Sequence, residues 1–118
     1  MYTLEKSPSR RQNSPMYELS ELDKECRQIC GDIYSEHDRD AILHALSFAY
    51  NAHKGQLRKS GEPYFIHPFG VGKLLIQLRF DYVTVQAGLL HDVPEDTPVT
   101  LHTISHIFGK SAAHLVDG

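Results

Sequence analysis

The chain has 118 residues, with 12 lysines and arginines against 15 aspartates and glutamates and a formal net charge of −3. That length fits one domain, the charge offers no basic excess to hold a nucleic-acid backbone, and no apolar run approaches the roughly 18 residues of a membrane helix. Two cysteines, and an N-terminus MYTLEKSPSRRQNSP without the apolar stretch of a secretory signal, predict a reducing, cytoplasmic setting. Residues 1–16 are rich in Ser, Pro and Arg and read as a flexible arm. Everything from residue 17 to 118 reads as one domain.

Leu19, Leu22, Cys26, Ile29, Cys30 and Ile33 recur at intervals of three and four and predict a first amphipathic helix, weakened at its end by Gly31. A second helix opens at Ser35 or Asp38, both good caps, with Ile42, Ala45, Leu46, Ala49, Tyr50 and His53 on one face. The stretch from Lys54 to Tyr64 holds two glycines and a proline and predicts a loop. A third helix is expected from Ile66 to Leu78, with Pro68 tolerated in its first turn and Val71, Leu74, Leu75 and Leu78 facing inward. Asp81 caps a fourth, whose uncharged run from Val85 to Leu90 predicts burial. Thr100 caps a fifth, with Leu101, Ile104, Ile107 and Phe108 as its stripe and Gly109 at its end, and a sixth begins at Ser111. No segment alternates with period two. The expected class is all-α, with about five to six helices.

Charge is divided unevenly. Between residues 54 and 79, Lys54, Arg58, Lys59, Lys73 and Arg79 face Glu62 alone; between 80 and 100, Asp81, Asp92, Glu95 and Asp96 stand without a cation. A basic loop beside an acidic, histidine-bearing helix suits a phosphorylated ligand bridged by a metal ion. Two ordinary solvated faces would show the same pattern. The adjacent pair His91-Asp92 offers one nitrogen and one oxygen ligand, although alone such a dipeptide as readily marks a cap. Glu95 lies four residues after His91 and Asp96 four after Asp92, so an unbroken helix would stack acid under ligand. Repulsion among these groups calls for a cation or solvent. Pro94 is expected to bend or end the helix, leaving Glu95 and Asp96 in the following turn. His67, just ahead of Pro68, is the natural third ligand, since two imidazoles and one carboxylate leave coordination positions open.

The other histidines carry weaker signals. His102 and His106 have a spacing that can bind zinc, but Thr103 stands where a metalloprotease would carry glutamate. His37, His44 and His114 read as surface or capping groups. Cys26 and Cys30 fall on the apolar stripe and read as buried free thiols. Tyr64 fits two roles equally, lining a nucleotide pocket or anchoring a loop.

Taken together, Ala52-His53-Lys54-Gly55-Gln56, Arg58-Lys59-Ser60-Gly61-Glu62-Pro63-Tyr64, His67-Pro68, Leu89-Leu90-His91-Asp92-Val93 and Glu95-Asp96-Thr97 closely resemble the hydrolase domain of the RelA/SpoT homologues. Phe108-Gly109 and Leu115-Val116-Asp117-Gly118 continue the likeness, which covers roughly residues 40 to 118. These HD-superfamily enzymes remove the 3′-pyrophosphate from the alarmones ppGpp and pppGpp. The resemblance implies an HD-type helical bundle in which His67, His91 and Asp92 are three of four Mn²⁺ ligands. It implies that Glu95 and Asp96 are the acidic pair that orients or deprotonates the attacking water and assists the leaving pyrophosphate. Arg58, Lys59 and Ser60 are implied to hold the guanine nucleotide, and His53 to pack rather than to ligate.

The chain departs from the family in its ligand set, in lacking counterparts of later nucleotide-binding residues and of the synthetase domain of long members, and at Pro94. No counterpart of the fourth ligand, an aspartate on a later helix, stands before Gly118, and Pro94 replaces an expected aliphatic residue. The expectation is therefore a C-terminally incomplete hydrolase domain at residues 17–118, acting on (p)ppGpp with no nucleic acid or membrane as partner. The rivals are a non-enzymatic remnant that self-associates or takes up a completing segment, and a different HD-type nucleotide phosphohydrolase.

Overall fold

The computed structural model describes residues 17–118, and the arm expected at residues 1–16 lies outside them. Seven helical segments follow in order: α1 (Leu19–Cys30), α2 (Glu36–Ala52), α3 (Ile66–Gln77), α4 (Tyr82–Leu90), α5 (Val93–Asp96), α6 (Leu101–Phe108) and α7 (Lys110–Asp117). The one β-type pairing among the described residues is an isolated bridge between Leu57 and Pro63. The fold is all-α, as the sequence periodicity predicts. The segment beyond the expected six is α5, a single turn.

Three helix starts, those of α2, α4 and α6, carry a side-chain cap. Of the two candidates for α2, Ser35 is the cap: its hydroxyl accepts from the Asp38 amide at 3.1 Å. Asp81 accepts from both the amide and the hydroxyl of Thr84, the latter at 2.6 Å, and Thr100 accepts from the Thr103 amide at 3.2 Å. Gly31 closes α1 at a φ of 47°, a backbone region where a side chain is disfavoured.

Helix α4 is the centre of the bundle and packs against α2, α3 and α7. Every residue from Val85 to Leu90 is buried. Burying side chains such as Leu89 and Leu90 contributes about 1.5–3 kcal/mol each. The one polar member, Gln86, donates its amide to the Ala41 carbonyl at 2.9 Å and so is not stranded. Cys26 and Cys30 are free thiols buried in the same core.

Helix α3 corrects the expected inward face. Leu74 and Leu78 are exposed, at 55% and 59%, while Phe69, Gly72 and Ile76 are buried. The buried face runs through a glycine, which hydrophobic spacing does not register, so the apolar count rotates the helix the wrong way. Ile107 on α6 is likewise 40% exposed, and Ile104 is that helix's buried residue. No helix among the described residues is long and apolar enough to cross a membrane.

Candidate metal centre

The packing of α3 on α4 brings two distant pieces of sequence together. His67 sits in the first turn of α3, and His91 and Asp92 follow the last residue of α4. Pro94 has no amide hydrogen to give to the Leu90 carbonyl, so the helical ladder breaks between α4 and α5. The break falls ahead of the proline rather than at it. Val93 keeps a helical place despite preceding Pro94, its side chain fully buried. Pro94 then occupies the first turn of α5, where a missing donor is harmless. The Asp96 amide still reaches the Asp92 carbonyl at 3.0 Å.

One ligating atom each from His67, His91 and Asp92 lies within 4.8 Å of the others. His91 Nε2 is 3.2 Å from Asp92 Oδ1, and His67 Nε2 is 3.9 Å from Asp92 Oδ2. The His91 ring is oriented by its other nitrogen, Nδ1, which donates to the Gly88 carbonyl at 2.7 Å. That bond puts the proton on Nδ1 and leaves the Nε2 lone pair facing Asp92, the arrangement metal-ligating histidines use. A mixed set of two nitrogens and one oxygen fits a transition metal better than the all-oxygen sets of Ca²⁺ and Mg²⁺.

The acidic turn is tied to the α2–α3 loop. The Tyr64 hydroxyl donates to Asp96 Oδ2 at 2.6 Å and lies 3.1 Å from Asp92 Oδ2. Its bond to Asp96, then burial and the bond to Asp92, push the phenol well above its ordinary range, so it remains a neutral donor at physiological pH. Gln56 donates its side-chain amide to the Asp96 carbonyl. Thr97 closes the turn by donating to the Val93 carbonyl at 2.7 Å and accepting from the Val99 amide at 3.1 Å. Tyr64 thus anchors the loop to the acidic turn. Glu95 and Asp96 both lie on the exposed side of α5, where solvent and ligand can reach them.

Arg58, Lys59 and Ser60 form the exposed tip of that loop. The tip is a tight turn: the Gly61 amide donates to the Arg58 carbonyl and the Arg58 amide to the Glu62 carbonyl, each at 2.8 Å. Gly61 takes a φ of 92°, which this turn requires and a side chain would resist. Lys73, counted with these cations in sequence, is engaged elsewhere, 2.9 Å from Glu25 and over the Phe69 ring. Asp81, counted with the acids, serves α4 as its cap.

The remaining histidines stay apart from the centre. His102 and His106 are both exposed on α6 and join no cluster of potential ligands among the described residues. His37 is exposed beside Asp38, and His44 lies against the Phe108 ring at 4.8 Å. His53 is 2% exposed and stacks on Tyr64 at 4.9 Å, in keeping with a packing role. Gln56 is the contributor that motif reading passed over. Its place inside Ala52–Gln56 was the available signal.

Residues 45–118 match the family model of the HD domain. The chain belongs to that family. Over 77 residues this HD domain is 53% identical to the bifunctional (p)ppGpp synthase/hydrolase SpoT of Escherichia coli K12, covering 65% of this chain and 11% of that protein. It is 44% identical over 92 residues to a guanosine-3′,5′-bis(diphosphate) 3′-pyrophosphohydrolase of Vibrio cholerae, covering 78% of this chain and 13% of that one. A GTP pyrophosphokinase of Myxococcus xanthus is 47% identical over 81 residues, which are 69% of this chain and 11% of that protein. The HD domain therefore spans 11% to 13% of the length of these curated relatives. The likeness to RelA/SpoT homologues drawn from the motifs agrees with these identities.

Proposed function

We propose that this HD domain hydrolyses the guanosine alarmones ppGpp and pppGpp, in the cytoplasm and with Mn²⁺, to GDP or GTP and pyrophosphate. The observation that carries the reading is the convergence of His67, His91 and Asp92 within 4.8 Å, with the Asp96 carboxylate one hydroxyl away. His67, His91 and Asp92 would hold the cation. A bound divalent ion supplies Lewis acidity toward the pyrophosphate oxygens and makes water acidic enough to ionise near neutral pH.

The chain's own residues do the rest. His91 presents Nε2 in a fixed orientation because Gly88 holds Nδ1. In the reaction, a water oxygen bonds to phosphorus as the bond from phosphorus to the ribose 3′ oxygen breaks. Asp96 or Glu95 takes the water proton, and the 3′ oxygen regains one as it leaves. Arg58 and Lys59 would grip phosphate or stack on guanine, with Ser60 as a further donor, contributing position rather than proton transfer. The test is product analysis of ppGpp incubated with the chain and Mn²⁺. GDP and pyrophosphate from the wild type, and neither from His91→Ala, support the reading; intact ppGpp in both sinks it.

A second reading has its own observation. Leu74, Leu78, Phe80, Ile107 and Leu115 are large apolar side chains exposed by 40% or more. Such surface favours self-association or a completing segment over catalysis by the isolated chain. Light scattering after size exclusion separates the two, since an active monomer would leave association without a role.

A further inference from the structure

The contacts of the α2–α3 loop on the acidic turn have donors and acceptors that can be assigned by elimination. A backbone carbonyl only accepts, so the amide nitrogen of Gln56 is the atom facing the Asp96 carbonyl. Gln56 Oε1 then faces His53 Nδ1 at 2.9 Å and must accept, which puts the imidazole proton on Nδ1. His53 Nε2 is buried with no hydrogen-bond partner among the described residues, and a second proton there would be a stranded donor. His53 is thereby held in one tautomer, and it holds Gln56 in one orientation.

Tyr64 completes the arrangement. Its single proton is aimed at Asp96 Oδ2, with Asp92 Oδ2 next nearest. The Tyr64 amide donates to the Gln56 carbonyl at 2.9 Å, so the two contacts on Asp96 come from one joined piece of loop. Asp96 is therefore gripped at its main chain and at its carboxylate, next to the candidate ligand Asp92. A group that handles a proton needs such restraint, because a misplacement of about 1 Å costs around 100-fold in rate.

We propose that Tyr64 and Gln56, with His53 behind them, are positioning residues that brace Asp96 against Asp92. The brace joins the Arg58–Ser60 turn to the metal centre as one unit. The inference rests on the hydrolase reading only for the task it gives Asp96.

Amide hydrogen exchange in the metal-free chain reads the brace without any activity. Tyr64→Phe deletes one hydroxyl and keeps the ring on His53, while Gln56→Leu deletes the amide. The Asp96 and Thr97 amides donate to the Asp92 and Val93 carbonyls, each at 3.0 Å. In Tyr64→Phe they should exchange about tenfold faster, with amides in α2 such as Leu46 unchanged. In the hydrolysis assay the same variant should lose about 10- to 100-fold in kcat, with KM within about twofold. Gln56→Leu should move both readouts in the same direction. Unchanged exchange at Asp96 and Thr97 in both variants overturns the brace whatever the activity. Exchange that quickens equally through α2 also overturns it, because that is general loosening. Faster local exchange in a chain that hydrolyses nothing keeps the brace and removes the hydrolase reading instead.

Discussion

Gly72 on α3 lies so close to Leu89 on α4 that a methyl group on it would stand 2.5 Å from Leu89 Cδ2 and 2.9 Å from Cγ. This close approach packs α3, which carries His67, against α4, whose end leads into His91. Gly88 makes the reciprocal approach: a methyl there would stand 2.5 Å from Leu75 Cδ1 and 3.2 Å from Val71 Cγ1.

The two glycines differ in what their neighbours can do, which predicts different costs. Leu89 is fully buried and has nowhere to turn, whereas Leu75 is only half-buried. Overpacking a tight site costs about 1–3 kcal/mol, against about 1 kcal/mol gained by replacing a helical glycine with alanine. Gly72→Ala should therefore lower stability by up to about 2 kcal/mol, and Gly88→Ala should cost less. Thermal or urea unfolding of both variants checks the ordering, and equal losses would refute it.

Asp81 gives the fold a pH dependence of known sign. The Thr84 hydroxyl, chiefly, and the Thr84 amide hold its carboxyl below the usual carboxylate value, outweighing burial. A group with a lower pKa folded than unfolded adds stability above its unfolded value, near pH 4, and loses it as pH falls through its folded value. Asp81→Ala should cost about 1 kcal/mol at neutral pH, a gap that narrows in acid. Asp81→Asn keeps a cap without that titration. Unfolding curves at pH 7 and pH 3 that show the same gap for the alanine variant would contradict the assignment.

Chemistry and binding should separate by residue. Glu95→Gln and Asp96→Asn keep shape while removing a proton acceptor, and should lower turnover by about 10²–10⁴-fold with little change in alarmone affinity. Arg58→Ala should instead raise KM. Steady-state kinetics on ppGpp distinguish these outcomes. Unchanged turnover in the double acidic variant would end the catalytic assignment.

Which parts of this molecule the sequence reveals follows from what local chemistry can encode. Caps at Asp81 and Thr100 are local decisions that residue type alone places, whereas for α2 the sequence leaves Ser35 and Asp38 open and the fold selects Ser35. The buried run of α4 is legible because it carries no charge. The face of α3 is not, since its inward line passes through Gly72, whose value lies in lacking a side chain. His67, His91 and Asp92 could be named together by motif order. For Tyr64 the sequence leaves two roles open, pocket lining and loop anchoring, because its hydroxyl meets Asp92 and Asp96 only once the loop folds back on α5. For Pro94 the expected break was right in kind, but the missing donor acts one turn earlier, at Leu90.

The most direct test of the central claim is a Mn²⁺ titration of the isotope-labelled chain, read by paramagnetic broadening of its amide signals. The account predicts that signals of His67, His91 and Asp92 vanish first, and that His91→Ala abolishes the effect. Broadening that begins at His102 and His106, or that persists unchanged in the His91 variant, would contradict it.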